Sequence, residues 1–113
     1  MFKRCGIYQV SLPNIEKDNK NLCPCLVVSN NISNEFSPVV TILPLAFSNL
    51  DRIYEFETFI PAVSNGLGKD AKVSSHIIIT INKSRVIGER IGFLPKAIMA
   101  KIDKTLRLQL DLL

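Results

Sequence analysis

The side chains in this sequence that could carry out chemistry are few and widely spaced. His76 is the single histidine, and an imidazole has an ordinary pKa of about 6.5, close to neutrality. It follows Ser74 and Ser75, so one stretch offers a proton carrier beside two hydroxyls, suited to catalysis or to a phosphate contact. The alternative for His76 is a surface or internally bonded histidine. Cys23 and Cys25 are separated by one residue and share a face if the segment is a strand. A cysteine nucleophile needs an activating base and a lowered pKa, and no sequence neighbour supplies either. A zinc site needs about four ligands, and the three cysteines and one histidine are not spaced to provide them. Ser29, Asn30 and Asn31 can contact a bound partner or serve turn chemistry. Lys83 and Arg85 flank a turn, as phosphate contacts or as solvated charges. Gly66-Leu67-Gly68 is too short and isolated for a phosphate-cradling loop, which sits between a strand and a helix.

The elements that position these residues are mostly strands. Two apolar runs, Cys25–Val28 and Val39–Leu43, form the centre. They are joined by a polar link containing Asn30, Asn31, Ser33, Asn34, Ser37 and Pro38, whose side chains favour turns. Ile7–Leu12 alternates as a half-buried first strand, ended by Pro13. Asn14–Asn21 is polar and reads as an exposed connector or a flap over a groove. Ile53–Phe59 alternates loosely, and Ile60–Val63 continues extended through Pro61. Val73–Ile81 reads as one strong strand covered on both faces, because Ile77, Ile78, Ile79 and Ile81 are β-branched and nearly continuous. Val86–Gly88 and Arg90–Phe93 form a short last strand or edge. Pro95 opens a helix on which Ile98, Met99, Ile102 and Leu106 make an apolar stripe.

At 113 residues the expectation is one domain, spanning residues 1–113. Hydrophobic residues make up 47% of the chain, which excludes general disorder. No apolar run reaches the roughly 18 residues of a membrane span, and the opening Met-Phe-Lys-Arg-Cys-Gly lacks a signal peptide's apolar stretch. Both point to the cytoplasm, where the odd cysteine count implies free thiols. The net charge of +4 fits a nucleic acid or an acidic peptide as partner. Five or six strands and one helix make a mainly β fold, a small antiparallel barrel, because closure removes free edges.

The order of segments resembles the MazF/PemK-type toxins. Lys3–Leu12 (KRCGIYQVSL) is similar to the family's opening Lys-Arg-Gly-Asp-Ile-Tyr strand. CPCLVVSNNISNEFSPVVTILPLA (Cys23–Ala46) resembles its Arg-Pro, apolar strand, Asn-Asp, Asn, apolar strand, Pro-Ile-Thr segment. Gly66–Leu94 is similar to the segment containing Gln-Ile-Arg-Thr-Ile-Asp-Lys. The resemblance implies an SH3-like barrel with a C-terminal helix, a homodimer, a cognate antitoxin, and metal- and cofactor-independent cleavage of single-stranded RNA. In that reaction the 2′-hydroxyl attacks the adjacent phosphorus. An arginine and a hydroxyl donor meet its need for charge stabilisation.

At the matched positions the chemistry departs from the family's pattern. Cys23 occupies the arginine position and Ala46 the threonine position. The family's Gln, Arg and Asp correspond to Ile77, Ile79 and Asn82, while Thr80, Lys83 and Arg85 remain. Asn14–Asn21 lacks the family's Gly-Ser-Glu motif. Two functions follow as expectations. One is a toxin-type endoribonuclease working through an altered site, with Ser29, Asn30, Asn31, His76, Thr80, Lys83 and Arg85 as nucleic-acid or partner contacts. The other is a non-catalytic module on the same barrel that holds an antitoxin peptide or another protein. Thr41–Ala46 (TILPLA) also resembles the gyrase-poisoning CcdB relatives, but the chain ends Leu-Asp-Leu-Leu without their Trp-Gly-Ile tail.

Overall fold

A computed structural model describes residues 2–12 and 22–112. The strand end at Pro13 and the connector Asn14–Asn21 lie outside the described residues. The strands are β1 (Gly6–Ser11), β2 (Leu22–Val27), β3 (Val39–Ala46), β4 (Glu57–Ile60), β5 (Ala71–Ser74), β6 (Ile79–Asn82) and β7 (Val86–Phe93). Helices α1 (Asn31–Phe36), α2 (Ala62–Asn65) and α3 (Lys96–Leu110) interrupt and close the series. Every pairing between strands is antiparallel.

The sheet runs β4-β5-β3-β2-β1-β7, and β6 lies against the first half of β3. One edge of β3 faces β2, through Ile42↔Val27 and Pro44↔Cys25. Its other edge is shared: Val39–Ile42 pair with β6, and Leu45–Ala46 with β5. The result is a mainly β, antiparallel, barrel-like sheet with a C-terminal helix, and the ladder does not close between β4 and β7 among the described residues.

Alternation sends side chains to both faces of this sheet. One face collects Ile7, Leu26, Leu43, Leu45, Ile60 and Val73 against Met99 and Ile102 of α3. The other collects Tyr8, Val10, Cys23, Cys25, Val40, Ile42 and Ile81. The α3 stripe is as expected: Met99 and Ile102 are buried, and Ile98 and Leu106 pack beside them. Pro95 stands just before the helix, where its missing N–H costs no hydrogen bond.

The expected single strand Val73–Ile81 is two strands, β5 and β6, both antiparallel to β3. The register supplies the reason. From Leu45↔Val73 to Ile42↔Ile79, β3 advances by three residues and its partner by six. The three extra residues leave the ladder as a turn. Ile77 and Ile78 are therefore 42% and 36% exposed instead of covered on both faces.

Other boundaries also shift. The polar link after β2 contains a helix, because the Asn30 side chain caps α1 by accepting from the Ser33 N–H at 2.8 Å. The strand expected over Ile53–Phe59 is confined to Glu57–Ile60. Val63 lies in α2, not in extended chain. That helix ends at Gly66, whose φ of +78° suits glycine. Gly92 of β7 allows a close approach there: a Cβ at Gly92 would sit 2.2 Å from the Asn65 carbonyl oxygen.

Candidate functional site

Cys23 and Ala46 are brought together. The Cys23 sulfur lies 4.0 Å from the Leu45 carbonyl oxygen, one residue from Ala46. Cys23 is fully buried, and the Cys25 thiol donates to the Cys23 carbonyl at 3.4 Å. This corner is apolar: Cys23 belongs to the core of the second sheet face, and Ala46 beside it is a partly exposed methyl group.

A charged cluster adjoins Ala46 on the β5 side. Ala46 pairs with Lys72, which pairs with Phe59 of β4. Paired residues project to the same face. The Lys72 ammonium lies 3.1 Å from Glu57, with both side chains under 10% exposed. It also donates to the Asn49 carbonyl at 2.9 Å and to the Arg52 carbonyl at 3.3 Å. Glu57 accepts from the Tyr54 N–H at 3.0 Å and from the Ser74 hydroxyl at 3.0 Å. Burial raises the Glu57 pKa. The Tyr54 N–H, the Lys72 ammonium and the Ser74 hydroxyl more than offset it and hold the carboxyl below the ordinary glutamate value. Lys72 and Glu57 thus fasten the 47–56 loop to β4 and β5. Sequence inspection missed the pair: its partners are 15 residues apart across a loop and carry no local signal.

The outer side of that loop bears aromatic rings. Tyr54 and Phe56 stack with centroids 5.5 Å apart and planes 1° from parallel. His76 meets Phe56 edge-on at 4.3 Å, and the Arg52 guanidinium lies 4.9 Å from the Tyr54 ring centre. His76 sits on the extruded turn between β5 and β6.

All the remaining expected residues except Arg85 gather at the other end of β3. Thr80 pairs with Thr41, their hydroxyls 2.9 Å apart. The Ser29 hydroxyl bonds the Asn34 side chain and accepts from the Thr41 N–H at 3.1 Å. Asn30 caps α1, and Asn31 accepts from the Arg4 N–H at 2.8 Å. Lys83 donates to the Glu35 carbonyl at 3.4 Å, and Arg85 to the Ser11 carbonyl at 3.0 Å. Thr41 and Ala46 are five residues apart on one strand, about 17 Å. With His76 set against Phe56, the structure places the other candidates in two groups: Cys23 and Ala46, with Arg85 on the β1 side at Ser11, the register partner of Leu22; and Ser29, Asn30, Asn31, Thr80 and Lys83. In the second group Ser29, Asn30 and Asn31 hold backbone in place.

Away from both groups, Cys5 has φ of +79° and joins β2 to Leu94, the residue after β7, through its N–H and carbonyl. Burial pushes its thiol pKa up, and the Arg4 charge only partly opposes that. The thiol stays protonated at neutral pH and is a weak nucleophile.

An antiparallel barrel-like sheet backed by a C-terminal helix, with an apolar corner at Cys23 and Ala46, defines a small, mainly β, barrel-like domain. Residues 3–110 match the family described as PemK-like, MazF-like toxins of type II toxin–antitoxin systems, and the chain belongs to that family. It is 33% identical over 118 residues to endoribonuclease MazF9 of Mycobacterium tuberculosis, covering 99% of this chain and 98% of the relative. It is 28% identical over 112 residues to endoribonuclease EndoA of Bacillus subtilis, covering 98% and 96%. A mycobacterial endoribonuclease solved in complex with its cognate antitoxin superposes with a TM-score of 0.80 at 25% identity, covering 100% of this chain and 98% of that one.

Proposed function

We propose that this chain is the toxin subunit of a type II toxin–antitoxin pair, that it engages single-stranded RNA, and that it cleaves it slowly. Family membership supports the class. The rate expectation rests on one observation: the corner formed by Cys23 and Ala46 is apolar, and the cation nearest in register, Lys72, is already paired with Glu57.

The proposed reaction is an internal transesterification. The 2′-oxygen forms a bond to phosphorus as its proton passes to a base. The bond from phosphorus to the 5′-oxygen breaks, and that oxygen takes up a proton. The products are a cyclic phosphate and a free 5′-hydroxyl. Negative charge grows on the phosphoryl oxygens, and each missing donor typically costs about 10²–10³ in rate. Cys23 and Ala46 supply no such donor, and no cofactor enters the scheme.

The test is digestion of a long single-stranded RNA in the presence of a chelator. Wild type is compared with Ala46→Thr and with Cys23→Arg/Ala46→Thr. Ala46 is partly exposed and accepts a threonine more readily than buried Cys23 accepts an arginine, so the single variant guards against misfolding of the double one. The variants are expected to cut about 10²-fold faster or more than wild type. Rapid cutting by wild type that neither variant improves would refute the slow-enzyme reading.

A non-catalytic binding role draws on a different feature. A cleft of about 860 Å³ between β4 and α3 is lined by Phe59, Pro61, Ile98 and Leu108, with Lys101 and Lys104 beside them. The apolar walls suit an amphipathic antitoxin segment, and Lys101 and Lys104 share the lining with Glu55 and Glu57, so both charge signs are available to it. We further propose a homodimer, since Leu108 and Leu110 near the helix end are more than half exposed. We place the protein in the cytoplasm, where its RNA substrate and antitoxin would be. Among the described residues no helix is long and apolar enough to cross a membrane.

A further inference from the structure

We propose that Arg52, Tyr54, Phe56 and His76 form a stacking platform for unpaired bases of single-stranded RNA, held ready by the buried Lys72–Glu57 pair. This rests on the RNA-binding reading above and names the side chains that would carry it.

The rings are not core. Neither Tyr54 nor Phe56 belongs to either hydrophobic cluster, and Tyr54 is 45% exposed. They stack with planes 1° from parallel, on a loop whose backbone is bonded from below. The order comes from beneath. Burying an ion pair is expensive, and the bonds of this one go to the loop: Lys72 holds the Asn49 and Arg52 carbonyls, and Glu57 holds the Tyr54 N–H. The Ser75 N–H donates to the Phe56 carbonyl at 2.7 Å and fixes the turn that presents His76. Every side chain of the platform is therefore anchored through its own backbone or its immediate neighbour's. Anchoring in advance lowers the ordering cost of binding.

The chemistry suits nucleobases. Aromatic faces and guanidinium planes are the surfaces on which unpaired bases stack, with little dependence on sequence. Because Tyr54 and Phe56 cover one face of each other and Arg52 lies over Tyr54, a base joins this stack on the Arg52 plane or in its place. The ladder begins and ends in exposed polar groups, Arg52 and His76, which can meet phosphate or base edges while the rings stack. The acidic neighbour Glu55 lines the β4–α3 cleft. A base pair within a duplex is already stacked on both sides, so the platform selects single strands. Its place is apt: the loop begins directly after β3 ends at Ala46, and Lys72, its anchor, is the register partner of Ala46.

The experiment is fluorescence anisotropy with the full chain and a short, labelled, mixed-sequence RNA. Every sugar carries a 2′-O-methyl group, so that the nucleophile is blocked and only binding is read. Tyr54→Leu keeps apolar contact with Phe56 but removes the π-face, and Tyr54→Phe keeps the ring. Tyr54→Leu is expected to weaken binding roughly 5- to 100-fold, Tyr54→Phe less than about 3-fold, and a duplex of the same sequence to be insensitive to both. Unchanged affinity in Tyr54→Leu, with wild type still binding, would overturn the platform and leave the RNA reading standing. Equal weakening for single strand and duplex would also overturn it, since a charge or folding effect would then be at work. Failure of wild type to bind the single strand would overturn the RNA reading and the platform together. If Tyr54→Leu instead abolishes binding of an acidic antitoxin peptide and spares RNA, the surface is a protein contact and the proposal is wrong.

Discussion

Lys72 and Glu57, on neighbouring strands, lie 3.1 Å apart with both side chains shielded from water, and between them they hold three backbone groups of the 47–56 loop. The pair is the fastening of that loop, and it makes loop order depend on pH. The Glu57 pKa is lower in the folded chain than the glutamate reference of about 4.3. Its contribution is therefore fully present above that reference and is lost as pH falls through the folded-state value. Glu57→Gln should lose about 2 kcal/mol at pH 7. Wild type and variant should converge in urea titrations run at successively lower pH. A stability gap that stays constant down to strong acid would show that the carboxylate charge is not what matters.

Gly92 is required by contact. A Cβ there would lie 2.2 Å from the Asn65 carbonyl oxygen, which is backbone and cannot swing aside. Gly92→Ala should cost about 1–3 kcal/mol, as overpacking does, and should lower the thermal midpoint by several degrees. Gly68 has no atom within 4 Å of such a Cβ, but its φ of +79° penalises alanine through the backbone alone. The comparison separates steric from torsional cost, and Gly68→Ala should be the milder change.

Cys5 gives the opposite sign. Its φ of +79° is a conformation side chains disfavour by about 1–2 kcal/mol, and glycine stands at this place in the family's opening Lys-Arg-Gly. Cys5→Gly should stabilise the chain by about 0.5–1 kcal/mol, once glycine's greater freedom in the unfolded chain is subtracted. Chemical denaturation of both proteins under reducing conditions checks it. A destabilised glycine variant would mean that the thiol's packing against the Leu94 side of the core outweighs the strain.

Much of this architecture is legible in the sequence because it is local. The stripe Ile98, Met99, Ile102 and Leu106 specifies both helix α3 and its buried side, and the apolar runs flanking Asn30–Pro38 specify β2 and β3. What escapes depends on register. Nothing within Val73–Ile81 says that three residues must leave the ladder; only the partner strand says so. Helix α1 escapes because six residues carry too little periodicity, although Asn30 is by itself a favoured helix-capping residue. The candidate site divides in the same way. Cys23 and Ala46 are found together by alignment of pattern, whereas Lys72, Glu57 and the rings above them become visible only when β4 lies against β5.

The turn between β5 and β6 has a consequence for how this protein can change over generations. Residues 76–78 make no strand pairing and lie outside both hydrophobic clusters. Substitutions there leave the ladder's alignment untouched, while an insertion or deletion only lengthens or shortens an excursion that already exists. Innovation in what the surface recognises is thereby uncoupled from inheritance of the scaffold, and a randomised library confined to these three positions is where new specificities should arise without loss of foldability.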